Sequence, residues 1–227
     1  MEEGLFLAEG HKCVKDLLDN GAEAQWIFYN NPKPDYLPEK ISFPVDEKDL
    51  KKLSLQSTPS GIIGVFKQKT YLPDNPIFAQ GPRLYLDGLQ DPGNLGTIIR
   101  SAHWFGIQSV LLSPDCVEWY NPKTVQSTMG SLLSIPYLYC RTEELQQLKN
   151  NSRLICADMD GTDIREFNTE TNDIIVIGNE SKGVSQTLKE MADLSVHIPA
   201  ANRNNKPESL NAAITVAIFL FKQMKSL

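Results

Sequence analysis

The stretch LYLDGLQDPGNLGTIIRSAHWFGIQSVLL, residues 84–112, decides the fold. It opens on a short apolar run, Leu84 to Leu86, and closes on another, Ser109 to Leu112. Between them Leu95, Ile98, Ile99, Ala102 and Phe105 recur at helical spacing and make one apolar stripe. Asn94 stands where it would cap the start of that helix, and Gly106 where a left-handed residue would end it. Arg100 lies off the stripe, near the face of Gly96 and His103, so its guanidinium is free to reach outward. Strand, helix and strand in this order make the crossover unit of a parallel sheet.

The alternation continues toward the C-terminus. Apolar runs at Tyr137 to Cys140, Leu154 to Ala157, Ile174 to Ile177 and Ser195 to Ile198 read as strands. Helical patterns cover Glu143 to Asn150, Ser185 to Met191 and Leu210 to Lys225. The expected architecture is α/β, a mostly parallel sheet with helices on both faces, over residues 82–227. Toward the N-terminus, prolines and polar clusters in residues 68–81 read as a linker. Residues 1–67 read as a small α/β domain, with strands at Leu5 to Ala8, Ala24 to Tyr29 and Gly61 to Phe66. Its helices are expected at His11 to Asn20 and Glu47 to Leu53. With no nucleophile and base set together, that domain reads as a recognition module.

Composition bounds the function. The 227 residues are 41% apolar and 22% charged, an ordinary globular balance. The most apolar stretch, Ala212 to Phe221, is too short for a membrane span. The first residues are acidic where a secretory signal would be basic, so a cytoplasmic location is expected. A net charge of −6 weighs against nucleic acid unless the basic residues gather on one face or a second subunit helps. Cys13, Cys116, Cys140 and Cys156 are widely spaced, which suggests buried free thiols rather than a zinc site or disulfides. No metal is expected.

The usual nucleotide and hydrolase signatures are missing: there is no glycine-rich dinucleotide fingerprint, P-loop, nucleophile elbow or zinc-protease helix. Asp158-Met159-Asp160-Gly161 begins like a calcium loop, but the later ligands do not follow. Three segments rich in Gly, Asn and Ser remain at strand ends, where open α/β sheets bind ligands. They are Asp87-Gly88-Leu89-Gln90-Asp91-Pro92-Gly93-Asn94 running on to Arg100-Ser101-Ala102, Ile177-Gly178-Asn179-Glu180-Ser181-Lys182-Gly183, and Ile198-Pro199-Ala200 followed by Glu208-Ser209-Leu210-Asn211. In this order they resemble the three motifs of the SpoU/TrmH family of SPOUT methyltransferases. Ser127-Thr128-Met129-Gly130-Ser131 with Ile135-Pro136 resembles a further family feature. Phe6-Leu7-Ala8-Glu9-Gly10 and Gly61 to Phe66 resemble, less specifically, its small substrate-binding domain. The chain departs from the family in Ala200, where Met is frequent, in a longer loop from Ile198 to Leu210, and in Ala212-Ala213 after the last motif.

The resemblance implies transfer of a methyl group from S-adenosylmethionine to a ribose 2′-hydroxyl of RNA, leaving S-adenosylhomocysteine. Ribosomal RNA is favoured over transfer RNA. Such a displacement needs no metal but does need the hydroxyl held in line and made more acidic. By resemblance Arg100 acts on that hydroxyl, with Asn94, Glu180, Ser209 and Asn211 completing the catalytic set. The implied cofactor residues are Met129, Gly130, Gly178, Asn179, Ile198 and Leu210. His103 and His197 match no family position and read as structural. The resemblance also implies a C-terminal trefoil knot, which general topology rules would not suggest, and a homodimer whose site draws on both subunits. Two alternatives stay open: a non-catalytic RNA-binding relative of the same fold, and an unrelated α/β nucleotide enzyme.

Overall fold

The computed structural model describes residues 4–201 and 209–224. Most of the long segment expected between Ile198 and Leu210, with Glu208 and Lys225, therefore lies outside the described residues. The chain forms two compact units. One runs to Thr70 and takes back Glu118–Ser134; the other comprises Tyr71–Val117 and the chain from Ile135 onward.

The first unit holds β1 (Leu5–Glu9), α1 (His11–Asp19), β2 (Ala24–Tyr29), β3 (Ser42–Pro44), α2 (Glu47–Leu53) and β4 (Ile62–Lys67). Its sheet has the order β1-β4-β2-β3, antiparallel except for the β2–β3 pair. The returning segment contributes the helix Pro122–Ser127 and Tyr120, whose ring stacks on Phe6 at 4.6 Å, while Phe6 also stacks on Phe66. That aromatic stack explains why residues read as part of the C-terminal domain pack here instead. The short edge strand β3 was not expected, since Ser42-Phe43-Pro44 carries no period long enough to mark it.

The second unit opens earlier than expected. Tyr71 meets Phe78 edge to face at 5.9 Å, and Phe78 is fully buried in the core, so much of the stretch read as linker is folded into this unit. Then come β5 (Arg83–Leu86), α3 (Pro92–Trp104), β6 (Ser109–Leu112) and β7 (Tyr137–Tyr139). With the Pro122–Ser127 helix counted as α4, there follow α5 (Thr142–Lys149), β8 (Leu154–Asp163), β9 (Ile174–Ile177), α6 (Gln186–Met191), β10 (Leu194–His197) and α7 (Ala212–Gln223). The six strands lie in the order β10-β8-β9-β5-β6-β7 and every pairing is parallel.

Every residue of β5, β6 and β9 is buried, the continuous apolar run of parallel strands covered on two sides. Tyr85, Leu111, Cys156 and Val176 share one cluster with Leu145 of α5 and Leu188 of α6. On α7, residues Ala212, Ala213, Val216, Phe219, Leu220 and Gln223 form a buried stripe, and the helix packs on β9 and α3. The strand order reverses between β5 and β9, which places a ligand crevice at the carboxyl ends of that pair.

Strand β8 is longer than the sequence suggested and is interrupted. Cys156 pairs with Ser195, but the next pair is Thr162 with Val196, so residues 157–161 bow out of the ladder. Gly161 closes this excursion against β10, where a Cβ would fall 2.3 Å from the Ser195 carbonyl carbon.

Candidate active site

Helix α3 begins with Pro92 at its first turn, and Asp91 caps it, its Oδ1 accepting the Asn94 N–H at 2.7 Å. The cap is thus Asp91 and not Asn94, a correction that matters. Proline presets the first helical φ three residues earlier than the apolar stripe suggested. Asn94 sits inside the first turn with its side chain left for other work. At the far end Gly106, at φ +70°, supports the Ile107 N–H to Ala102 C=O bond at 2.9 Å, as its left-handed position requires.

The loop after β9 is zipped shut. Asn179 and Gly183 exchange both backbone hydrogen bonds, at 3.1 and 2.8 Å. The Asn179 Oδ1 accepts from the Ser181 and Lys182 N–H groups, while its Nδ2 donates to the Gly88 carbonyl after β5 at 2.7 Å. Gly178 is required here, because a Cβ would lie 2.1 Å from the Gly183 carbonyl carbon. The result presents Glu180 at the turn. The start of α7 is fixed by Asn211, whose Oδ1 accepts from the Ala213 and Ile214 N–H groups at 2.9 and 3.3 Å.

These three devices meet. Asn211 Nδ2 donates to Asn94 Oδ1 at 2.9 Å, and Asn94 Nδ2 donates to Glu180 Oε1 at 2.9 Å. Three residues from three distant segments form one directed relay, and no described residue engages the second oxygen of Glu180. The relay borders a cavity of about 570 Å³ at the ends of β8, β9 and β10. Gly178, Asn179, Glu180, Ile198, Ser209 and Leu210 all line it, with apolar walls from Val196 and Phe219. Its size and its mix of apolar and polar lining suit a small-molecule ligand.

Other expected site residues lie elsewhere. Arg100 is exposed, lines neither this cavity nor the groove between α3 and α7, and has no hydrogen-bond or ion-pair partner among the described residues. Met129 and Gly130 belong to the first unit and do not line the cavity; Gly130 is pressed against Asp16, where a Cβ would lie 2.7 Å from the Asp16 Cβ. His197 does line the cavity, with Nδ1 and the Gly161 carbonyl 2.7 Å apart. Sequence reasoning missed Asp158, Lys182 and Lys189 in the same wall. In the sequence Asp158 stands only at the start of an incomplete calcium loop, and the bend that brings it to the cavity has no sequence period. Among the described residues no cluster of three or more His, Cys, Asp or Glu side chains could hold a metal ion.

Residues 81–221 match the model of the SpoU rRNA methylase family, most of the chain and all three motifs. The chain belongs to that family. It is an RNA methyltransferase. Among its SpoU relatives, an uncharacterised tRNA/rRNA methyltransferase of Synechocystis is 29% identical, over 97% of this chain and 84% of that protein. A 23S rRNA guanosine 2′-O-methyltransferase of Bacillus subtilis is 28% identical over 95% of this chain and 87% of its own length. An rRNA methyltransferase of Sinorhizobium meliloti, solved with AdoMet bound, superposes with a TM-score of 0.85 at 29% identity, covering 100% of this chain and 89% of that one.

Proposed function

We propose that this methyltransferase moves a methyl group from S-adenosylmethionine to a ribose 2′-hydroxyl of ribosomal RNA. The observation that carries the reading is the Asn211–Asn94–Glu180 relay at the edge of the cavity. The cofactor fits what is there: apolar Ile177, Val196, Ile198, Leu210 and Phe219 suit an adenine ring. When bound, S-adenosylmethionine supplies an activated methyl group. Gly178, Asn179, Ile198 and Leu210 would hold it, and the family resemblance adds Met129 and Gly130.

The rest falls to side chains. The Arg100 guanidinium stays protonated, so it serves as a clamp on phosphate and hydroxyl rather than as a base. Its charge makes the hydroxyl more acidic, and the proton leaves to solvent. The free oxygen of Glu180 orients the ribose, Asn94 fixes Glu180, and Ser209 and Asn211 hold substrate and local backbone. The 2′-hydroxyl is the group that distinguishes RNA from DNA.

The family resemblance extends the proposal to a homodimer with a shared site, a trefoil knot in the C-terminal part, RNA recognition by the first unit, and work in the cytoplasm. The groove between α3 and α7 supports the dimer. It is lined by Ile214, Ala217, Ile218 and Phe221 and shares Asn94 and Asn211 with the site. A second copy seated there would complete a site that Arg100 does not line within one chain. Sedimentation of Phe221→Asp should then give monomers.

The test of the reaction is transfer of labelled methyl groups to RNA followed by alkaline hydrolysis. Ribose methylation blocks cleavage of the next phosphodiester bond, so label should appear in alkali-resistant dinucleotides. Label in mononucleotides would assign the methyl group to a base, and label confined to transfer RNA would replace the substrate. Cofactor binding without any transfer would favour a non-catalytic RNA-binding relative.

A further inference from the structure

The excursion in β8 carries a group that the relay does not use. Residues 157–161 leave the ladder between the Cys156–Ser195 and Thr162–Val196 pairs, and Ala157, Asp158 and Met159 form part of the cavity wall. Bulges beside a site commonly re-aim a side chain. Here the excursion is anchored at Gly161, whose carbonyl lies 2.7 Å from His197 Nδ1 and whose missing Cβ lets the β10 backbone pass.

Asp158 is mostly buried, its side chain 17% exposed, and one carboxylate oxygen is held by Lys189 Nζ at 2.7 Å. No described residue occupies the other oxygen. A carboxylate is an acceptor only, so an oxygen facing a cavity seeks a donor from whatever fills it. The S-adenosylmethionine of the proposed reaction, on which this inference rests, offers three kinds: an ammonium, an adenine amino group and the two ribose hydroxyls. Lys189 already neutralises Asp158, and Lys182 lines the same cavity. A second cation there would meet repulsion, which counts against the ammonium. The apolar residues are better suited to the adenine. A neutral hydroxyl meets neither objection, and acidic residues hold ribose hydroxyls in other nucleotide sites.

We infer that Asp158, braced by Lys189, is a positioning residue that accepts a hydrogen bond from a ribose hydroxyl of the methyl donor. It acts on donor affinity and selectivity, not on the transfer itself.

The test is calorimetric titration of the full chain with S-adenosylhomocysteine, its 2′,3′-dideoxy analogue, and an analogue lacking the α-amine. Wild type should bind the dideoxy compound roughly tenfold more weakly than the parent, the loss of one charge-assisted hydrogen bond. Asp158→Ala should bind the parent roughly tenfold more weakly and no longer distinguish it from the dideoxy analogue. A merely structural role would weaken all three ligands together and leave that ratio intact. Overturning results are retained hydroxyl discrimination in Asp158→Ala, or loss of discrimination at the amine instead. Asp158→Asn, which keeps an acceptor, should recover part of the affinity; a variant no better than alanine would also count against the idea. If wild type binds no S-adenosylhomocysteine, the donor assignment itself fails first.

Discussion

The two ends of the parallel sheet use similar residues to opposite purposes. At the amino ends, Arg83 is fully buried and donates to the carbonyls of Phe78 at 2.6 Å and Leu148 at 2.9 Å and to the Ser152 hydroxyl. No described carboxylate pairs with it, and burial pushes its pKa down to about 10. Beside it Asp173 takes a two-pronged bond from Arg153, both contacts 2.8 Å, and accepts the Glu170 N–H. At the carboxyl ends, no described residue engages the second oxygen of Glu180, and on α3 Arg100 is exposed with no partner among the described residues. Saturated polar groups brace a fold, whereas polar groups with unused capacity are what a ligand can engage. Charge alone does not mark function; unspent hydrogen bonding does.

The contrast can be broken most sharply at Arg100. Arg100→Ala should lower methyl transfer by roughly 10²–10⁴-fold while leaving S-adenosylhomocysteine affinity and melting temperature near wild type. Near-normal turnover would remove it from the reaction. Arg83→Met should do the reverse. Loss of its acceptors' partner should destabilise the fold by about 2–4 kcal/mol in urea titrations, with activity per folded molecule retained. Asn94→Ala should cut transfer by roughly tenfold to a hundredfold. Combined with Asn211→Ala it should cost less than the two losses added, since both break one relay.

The smallest effect concerns the core between the two ends. All four cysteines are free and buried, and burial raises Cys140 to about 12 from an ordinary 9.0. Its folded pKa exceeds its unfolded one, so its contribution is complete below pH 9 and is lost as pH rises toward 12. Stability curves of Cys140→Ala should therefore fall less steeply over that alkaline window than those of wild type.

Much of this was legible in the residues. β2, β6, β9 and α2 stand where their periods put them. The three motifs converge through the relay because each lies at a strand end or helix start, positions that sequence marks with Gly, Asn and Ser. Other features were hidden for physical reasons. The return of Glu118–Ser134 to the first unit depends on Tyr120 finding Phe6, a contact between residues far apart in sequence. The α3 cap was misplaced by three residues because the apolar stripe starts later than the proline that initiates the helix. The β8 excursion has no period at all; the shift in pairing register and the backbone crowding at Gly161 reveal it.

The relay also has a sense of direction. Each asparagine offers one donor and one acceptor end, and the chain uses them in a single order from α7 to the loop after β9. Turning the Asn94 amide over would set two NH₂ groups face to face at Asn211 and two oxygens face to face at Glu180. An aspartate there, nearly identical in shape, would still accept from Asn211 but would face Glu180 with like charge. That carboxylate would then tend to take up a proton. At this position the site distinguishes two side chains that differ by one atom's chemistry, where shape alone would pass both.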